Sequence, residues 1–240
     1  MTTEEFSNEF DIAVNAYLPG GEMFDEYEKS LALTKAQEQI VSQLYNSFEK
    51  REISKEILAP LVKTFVANEE YTGVEDNKIV TELFSISDNS YFYKLPEDLW
   101  LITFEEVVIK SNDKCLKNKR ISVVPTTQDK LYKTLKNPFR GPNDSRALRL
   151  NVAGNIVEII AKYEIKRYYV RYIKKLKPII LTHLTDTTSI NGIVERTECE
   201  LHESIHRDIL NLAVAIALQT RKMSAQQEQQ QQDKQQDNQQ

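Results

Sequence analysis

The chain has 240 residues, a formal net charge of -5 at pH 7 and 40% hydrophobic residues. This length allows one large or two small domains, and the negative charge excludes a generic DNA-binding protein with a basic surface throughout. Two cysteines, Cys115 and Cys199, are too few for a disulfide framework or a cysteine metal set, as expected of a protein made in a reducing cytosol. The sequence contains no signal-peptide pattern and no run of about 20 apolar residues, so we expect neither secretion nor a membrane span.

The N-terminal region is predicted to be a bundle of three amphipathic helices. Thr2 and Glu5 have the spacing of a capping box, and the first helix ends at the Pro19-Gly20-Gly21 sequence. A second helix is predicted for residues 25–49, and a third begins at Ser54, with Pro60 as a kink or as part of its first turn. The predicted buried faces are Phe6, Phe10, Ala13, Val14 and Tyr17; Leu33, Ala36, Ile40, Val41, Leu44, Tyr45 and Phe48; and Ile57, Leu58, Leu61, Val62, Phe65 and Val66.

From about residue 77 the apolar pattern becomes that of β-strands. The predicted strands are residues 79–84, 91–93, 100–104, 107–109, 121–124, 147–152, 156–163 and 168–173. A hairpin loop is predicted at 111–119, a short helix at 128–136 capped by Thr126 or Thr127, and a hairpin turn at Gly154-Asn155. The predicted fold is therefore α+β: an N-terminal helical bundle, a mostly antiparallel β-sheet with an inserted short helix, and a long C-terminal helix.

The C-terminal helix, residues 200–221, is apolar around most of its circumference. Its two apolar stripes are Leu201, Ile205, Ile209, Leu212, Ala213 and Ile216, and Leu210, Val214, Ala217 and Leu218. Such a helix is either a core helix or one held from two sides in an oligomer, and we favour the second interpretation. Ten of the fifteen residues 226–240 are glutamine, which predicts a disordered tail in the free protein, with ordering against a partner as the alternative. The predicted segments are 1–76, 77–221 and the glutamine-rich tail 222–240.

The start of this helix matches a zinc-protease pattern. His202, Glu203 and His206 fit H-E-x-x-H, in which two histidines bind zinc and the glutamate activates water. A catalytic zinc needs a third protein ligand, but the only other histidine is His183, upstream across a polar loop. We interpret the motif as a chance match. There is also no glycine-rich phosphate loop and no G-x-S-x-G motif, so we predict no metal, no cofactor and no enzymatic activity.

Two polar features are candidate contact sites. The loop 137–142 carries Phe139 and Arg140, either as a docking tip or as a proline-rich turn with Phe139 buried in its own core. The stretch 166–177 interleaves six cations with three tyrosines, a combination that suits nucleic acid. Strand alternation divides these cations between two faces, which favours a solvated or subunit-facing sheet edge. The predicted interface residues are Phe139, Arg140, Arg167, Arg171, Lys174, Lys175, Leu210, Val214 and Leu218.

Four sequence blocks, in the same order, resemble a virion protein of crAss-like tailed phages that infect Bacteroidales. They are EEFSNEFDIAVNAY with DEYEKSLALTKAQEQIVSQLY, VVPTTQDKLYKTLKNPFRGP, IAKYEIKRYYVRYIKKLKPIIL, and KPIILTHLTDTTSINGI with TECELHESIHRDILNLAVAIAL. The resemblance implies a structural subunit of the head-to-tail connector, located in the virion neck or tail and made in the bacterial cytoplasm.

That resemblance also implies a set of partners. They are further copies of the chain in a closed ring, a dodecamer by analogy with portal-linked connectors, the portal protein, and an adjacent neck ring or tail hub protein. Passive contact with channel DNA is possible in such a ring, and no membrane is involved. The first alternative is a nucleic-acid-binding module that uses residues 166–177, and a weaker one is a zinc hydrolase.

Overall fold

The computed structural model describes residues 1–21, 23–48, 51–71, 74–75, 78–79, 89–111, 113, 116–185 and 188–237. The chain forms two compact units. One combines residues 1–61 with 176–240, and the other contains residues 62–175. The predicted segments 1–76, 77–221 and 222–240 follow the chain instead, and that division stays a prediction.

Two capped helices begin the first unit: α1, Thr3–Tyr17, and α2, Glu26–Asn46. The predicted capping box is confirmed, since the Thr2 side chain accepts from Glu5 N and the Glu5 carboxylate accepts from Thr2 N. Asp25 caps α2 in the same way. Of the predicted α1 face, Phe6, Phe10 and Val14 are buried, whereas Tyr17 at the end of the helix is exposed.

The third predicted helix is shorter than its apolar pattern suggests. Helix α3 covers Glu52–Leu58, a 3₁₀ turn follows at Ala59–Leu61, and Val62–Ala67 form strand β1. The prediction of helix through Val66 is therefore wrong. Pro60 supplies no backbone N–H, and the residues after it pair instead with residues 168–173. Ser54 also lies inside α3 rather than at its N-cap, with its hydroxyl 3.0 Å from that of Ser47.

A seven-stranded sheet forms most of the second unit. Its strands besides β1 are β4 (Ser90–Lys94), β5 (Leu99–Ile109), β6 (Arg120–Pro125), β7 (Arg146–Ala153), β8 (Ile156–Ile160) and β9 (Ile165–Lys174). The order is β1-β9-β5-β6-β7-β8-β4, and the short β2 (Val74–Glu75) and β3 (Lys78–Ile79) form a separate ladder. Every neighbouring pair in the large sheet is antiparallel except β6 and β7, which α4 (Gln128–Leu135) connects. The α+β prediction with a mostly antiparallel sheet and an inserted helix is confirmed.

Some details of the strand prediction differ from the structure. Two predicted strands, 100–104 and 107–109, are one strand, β5, with irregular register against β9. Of the predicted strand 79–84, residues 80–84 lie outside the described residues, as does Cys115. The hairpin turn between β7 and β8 is present, with Gly154 at a φ of +53° that suits glycine.

The sheet curls around a hydrophobic core. Tyr93 on the edge strand β4 contacts Tyr168 on β9, with ring centroids 5.0 Å apart, although four strands separate them in the sheet order. The core comprises Tyr93, Leu95, Val107, Ile109, Ile121, Val123, Ala147, Val157, Ile159, Ala161, Ile165, Tyr168, Val170 and Tyr172. Strand β9 lies between β1 and β5, so the prediction that residues 166–177 form a sheet edge is wrong. The strand β1, which was predicted as helix, is the edge instead.

The C-terminal helix α5 covers His206–Asp237, after a 3₁₀ turn at Glu203–Ile205. It packs against α2 and α1. The helix continues through most of the glutamine tract, where the favoured prediction was a disordered tail. Residues 193–240 contain no glycine or proline, and each residue added to an existing helix gains one hydrogen bond, so the helix propagates.

Candidate interaction surfaces

The loop 137–142 is fixed by its own backbone. Phe139 N donates to Asn137 Oδ1 at 2.9 Å, and Gly141 N donates to Asn137 O at 2.8 Å. The Arg146 guanidinium donates to Phe139 O at 3.1 Å, and a Cβ on Gly141 would lie 3.1 Å from Asn137 O. Phe139 is 85% exposed on this loop, so the alternative with its ring buried in its own core is wrong.

The helix α4, which precedes this loop, packs against the sheet. Leu131 on α4 is fully buried and packs with Leu148, Leu150 and Ile160 of the sheet. On the outside of the helix Tyr132 is exposed, and Arg140 in the loop is exposed as well. Within the loop, the exposed Phe139 ring and the adjacent Arg140 guanidinium have the composition of an interface hot spot.

The inner face of β9 belongs to the core. The Tyr168 hydroxyl donates to the Glu105 carboxylate, and Arg149 Nη1 donates to the same carboxylate at 3.1 Å. Burial raises the pKa of Glu105, against the opposing effect of Arg149. The Tyr172 hydroxyl donates to Asp98 at 2.9 Å, and burial with this carboxylate raises the pKa of Tyr172 to about 12. Two of the three tyrosines in the basic stretch are therefore unavailable for stacking on bases.

The opposite side of β9 faces outward and is basic and aromatic. Arg167, Tyr169 and Arg171 alternate with the buried residues of the strand. Arg167 Nη1 donates to the Tyr169 hydroxyl at 2.9 Å, and the guanidinium of Arg120 on β6 lies 5.6 Å from the centre of the Tyr169 ring. Arg120 also binds Glu106 at 2.9 Å. The negative face of an aromatic ring attracts a nearby cation, so these guanidinium groups and the Tyr169 ring stabilise each other.

Neighbouring strands contribute exposed apolar side chains to the same side. Phe104 is directly opposite Arg171, and Val66 is directly opposite Tyr169, so each shares the face of its partner. Phe104 is 51% exposed, and Val66 is also exposed. We call this surface the outer β9 face; it comprises Val66, Phe104, Glu106, Arg120, Val124, Arg167, Tyr169 and Arg171. Lys174 is half-buried and Lys175 is exposed at the end of the strand.

A second charged surface was missed by the sequence analysis, although the signal was present. Residues 1–28 contain eight aspartates and glutamates and no lysine or arginine. Its apolar side chains Ile12 and Tyr17 are 69% and 72% exposed, and Leu18 and Met23 are exposed too. We call the region the acidic N-terminal surface; its described acids are Glu4, Glu5, Glu9, Asp11, Asp25, Glu26 and Glu28.

Two cations neutralise part of this acidic surface. The buried Lys29 binds Asp11 at 2.7 Å and Glu26 at 2.9 Å, and burial opposes the effect of these two carboxylates, which raise its pKa. Arg196 Nη1 lies 3.3 Å from Glu4. The described acids outnumber these cations, so the surface stays negative.

The C-terminal helix is covered mostly by its own unit. Leu210 and Val214 are 5% and 2% exposed, so these two predicted interface residues have almost no side-chain surface left for a neighbour. Leu218 is half-buried. The structure supports the core-helix interpretation for this half of α5. Farther along, the Arg221 guanidinium lies 4.0 Å from the centre of the Phe24 ring, and the next side chains, Lys222 and Met223, are exposed.

The H-E-x-x-H residues have separate environments. His202 is exposed, with Nδ1 2.9 Å from Ser204 Oγ. His206 is buried, with Nε2 3.0 Å from Leu201 O and Nδ1 2.8 Å from the Met1 amino group, and this burial lowers its pKa. Because Glu203 begins a 3₁₀ turn, the two histidines do not share one α-helical face. This arrangement agrees with the interpretation as a chance match, which stays a prediction.

The described residues offer neither a metal site nor an activated cysteine. Within the described part of the chain, no group of three or more His, Cys, Asp or Glu is arranged to hold a metal ion. Burial raises the pKa of Cys199 to about 11, which disfavours its nucleophilic thiolate. No helix among the described residues is long and apolar enough to cross a membrane.

Comparison with known proteins gives consistent matches along nearly the whole chain. Residues 1–229 match the family described as "Phage tail ring protein 3/4". The chain is 40% identical over 228 residues to "Ring protein 3" of Bacteroides phage crAss001, which covers 91% of this chain and 95% of that relative. It is 32% identical over 240 residues to "Ring protein 4/5" of the same phage, covering 90% of this chain and 92% of the relative.

Proposed function

The chain belongs to the phage tail ring protein 3/4 family, and on this premise we propose that it is a subunit of the head-to-tail connector. As a crAss-like phage ring protein, it is a structural component of the virion. In the proposed role the ring joins the portal to the next ring or to the tail hub, and it has no enzymatic activity. The observation that carries the proposal is the family match over residues 1–229.

The proposed assembly is a closed ring of identical subunits around the DNA channel, a dodecamer by analogy with portal-linked connectors. A ring closes when two different patches on each subunit fit each other head to tail. The exposed Phe139 supports such a contact, because hydrogen bonds hold the backbone of its loop and an ordered loop loses little conformational entropy when it binds. Phe139, Arg140 and the half-buried Leu218 are the proposed contacts with neighbouring subunits or with the portal.

Part of the helix α5 also supports assembly. After Arg221 the helix carries the exposed side chains of Lys222, Met223 and Gln226. A helix gains much of its stability in water from tertiary packing, so a neighbour that covers these side chains would stabilise the helix. In the virion we propose that this end of α5 orders against an adjacent ring or tail protein after the chain is made in the host cytoplasm.

The alternative function is nucleic-acid binding through residues 166–177. It retains some support, since Arg171 and Lys175 are exposed and Arg167 is half-buried on the same strand region. In the connector these residues would contact channel DNA only passively. Buried Tyr168 and Tyr172 weaken a stacking role, and strand alternation divides the basic residues between two faces.

Mass photometry and negative-stain electron microscopy of the purified chain test the proposed function. The expected result is a discrete species many times the 27.8 kDa subunit mass, with ring-shaped end views, either alone or with the purified portal of the same phage. A chain that stays monomeric when the portal and neighbouring ring proteins are supplied would overturn the proposal. Binding of the monomer to DNA with a steep salt dependence would instead favour the alternative.

A further inference from the structure

The two charged surfaces defined above are opposite in sign, and each has exposed apolar side chains among its charges. We propose that neighbouring copies of this chain bind each other in the ring through the acidic N-terminal surface of one copy and the outer β9 face of the next. This inference rests on the proposed ring function, because it names which two patches form the head-to-tail contact. It specifies which residues of two neighbouring copies meet, which the ring role alone does not.

On the acidic side, helix α1 presents its contacts as one stripe. Glu5, Glu9 and Ile12 follow each other at steps of four and three residues, so they lie on one face of the helix. The opposite face, with Phe6, Phe10 and Val14, is buried. Glu5 and Ile12 are exposed and Glu9 is half-buried. The stripe therefore offers a partner two carboxylates and one apolar side chain next to each other.

On the basic side, the sheet holds its side chains in place. Tyr169 lies between two guanidinium groups, Arg167 with its hydroxyl bond of 2.9 Å and Arg120 at 5.6 Å from the ring centre. Arg171 is exposed directly opposite Phe104, which is exposed as well. Aromatic and arginine side chains on a rigid sheet have the composition of binding hot spots.

The chemistry of the basic side favours a protein over a nucleic acid as the partner. Its charges are mixed, because Glu106 lies within the face and binds Arg120 at 2.9 Å. Phe104 and Val66 supply aliphatic and aromatic surface that a phosphate backbone would leave uncovered. An acidic surface with exposed Ile12 and Tyr17 would satisfy both properties, since apolar contacts can be surrounded by opposite charges.

Every ring contains such a partner, because each copy of the chain presents the acidic N-terminal surface to a neighbour. The acidic and basic surfaces are different patches of one chain, as a heterologous contact requires. Opposite charges attract the two surfaces to each other. Repulsion between like charges disfavours the wrong pairings, acidic with acidic and basic with basic. The contact therefore has a built-in direction around the ring.

Charge exchange tests this contact with three variants. The exposed Asn8 lies on the α1 stripe with Glu5, Glu9 and Ile12, so Asn8→Lys/Glu9→Lys makes the net charge of that stripe positive. Arg167→Glu/Arg171→Glu makes the outer β9 face negative, and the third variant combines all four substitutions. In either double variant charges of the same sign would meet at the α1 stripe, lysine against arginine in the first and glutamate against glutamate in the second, so we expect the fraction of chain in rings, measured by mass photometry, to fall at least about tenfold. Mixing the two double variants should restore rings of alternating subunits, and the fourfold variant should form rings by itself.

The matched control is Lys35→Glu/Lys55→Glu. It changes the net charge by the same amount as Arg167→Glu/Arg171→Glu, at two exposed lysines outside both surfaces. We expect it to form rings like the wild type. Recovery of rings on mixing also shows that the double variants are folded, because an unfolded chain could not complement another.

The outcomes separate the contact from the ring function. If the wild type forms rings and the double variants do too, or if mixing and combination fail to restore them, the proposed contact is wrong while the ring function stands. If the wild type forms no ring with its natural partners supplied, the ring function fails and the contact fails with it. Loss of salt-dependent DNA binding in Arg167→Glu/Arg171→Glu, with rings intact, would assign the basic face to nucleic acid and overturn the proposal.

Discussion

The inner and outer faces of β9 carry similar residue types in very different environments. On the inner face, Tyr168 and Tyr172 donate their hydroxyl groups to buried or half-buried carboxylates, Glu105 and Asp98. On the outer face, Tyr169 lies between guanidinium groups at the protein surface. In this tyrosine-rich basic stretch, buried residues that stabilise the core therefore alternate with surface residues that we propose as a contact. Substitutions on the two faces should differ accordingly.

The largest predicted effect concerns Arg149, which lies across the curled sheet from β9. Its guanidinium and the Glu105 carboxylate are 12% and 5% exposed as side chains. Arg149→Met would leave Glu105 buried without its cation, and we expect the free energy of unfolding to fall by about 3 kcal/mol. Urea denaturation followed by circular dichroism measures this change.

The control for that prediction is Arg171→Met on the outer face. Arg171 is exposed, so its loss should change the free energy of unfolding by less than about 0.5 kcal/mol. Equal destabilisation by both substitutions would contradict the division of β9 into a core face and an outer face.

The second prediction uses the pH dependence of the same buried carboxylate. Because burial raises the pKa of Glu105 in the folded state, the folded chain binds its proton more tightly than the unfolded chain. Stability from this group is therefore present below the unfolded pKa of about 4.3 and is lost as pH rises through the raised folded pKa. Relative to Glu105→Gln, the wild type should lose up to about 1.4 kcal/mol per pH unit in this window.

Denaturant titrations of the wild type and Glu105→Gln at a series of pH values above 4 measure that difference. Glu106→Gln on the outer face is the comparison, since its side chain binds Arg120 at the surface. A wild-type stability that rises relative to Glu105→Gln over the same window would show that the Arg149 charge outweighs burial.

The third prediction compares two tyrosines of the strand directly. Tyr172→Phe removes the donor to Asp98, a bond of 2.9 Å at a buried side chain, and should lower the free energy of unfolding by about 1 kcal/mol. Tyr169→Phe removes a bond to Arg167 at the surface and should cost less than about 0.5 kcal/mol. Thermal melts of both variants, measured side by side, check the order; a larger loss for Tyr169→Phe would contradict it.

Residues 62–67 and 166–177 show how far the sequence could predict this fold. The helices, their capping boxes and most strands follow from local spacing and from turn residues. The role of Val62–Ala67 does not, because its apolar residues fit a helical face, and only pairing with β9 makes it a strand. That single assignment also moved β9 from the sheet edge to its interior.

The candidate site was predicted only in part for the same reason. Exposure of Phe139 depends on the hydrogen bonds from Phe139 N and Gly141 N to Asn137, which spacing alone does not determine. Burial of Leu210 and Val214 depends on the position of α2, which lies far away in sequence. The acidic N-terminal surface, by contrast, could have been found by counting charges along residues 1–28.

The smallest predicted effect on stability belongs to Phe139, which extends the comparison of inner and outer surfaces to the loop. Phe139→Ser removes an 85% exposed ring and leaves the hydrogen bond from the backbone N of residue 139 to Asn137 Oδ1 in place, so the free energy of unfolding should change by less than about 0.5 kcal/mol. The same substitution should reduce ring formation or portal binding in mass photometry, because an exposed aromatic anchor contributes to binding rather than to folding. Tyr132→Ser on α4 is the matched control for an exposed ring outside the loop. Destabilisation by Phe139→Ser without any loss of assembly would show that the loop serves the fold, and that its ring is not a contact.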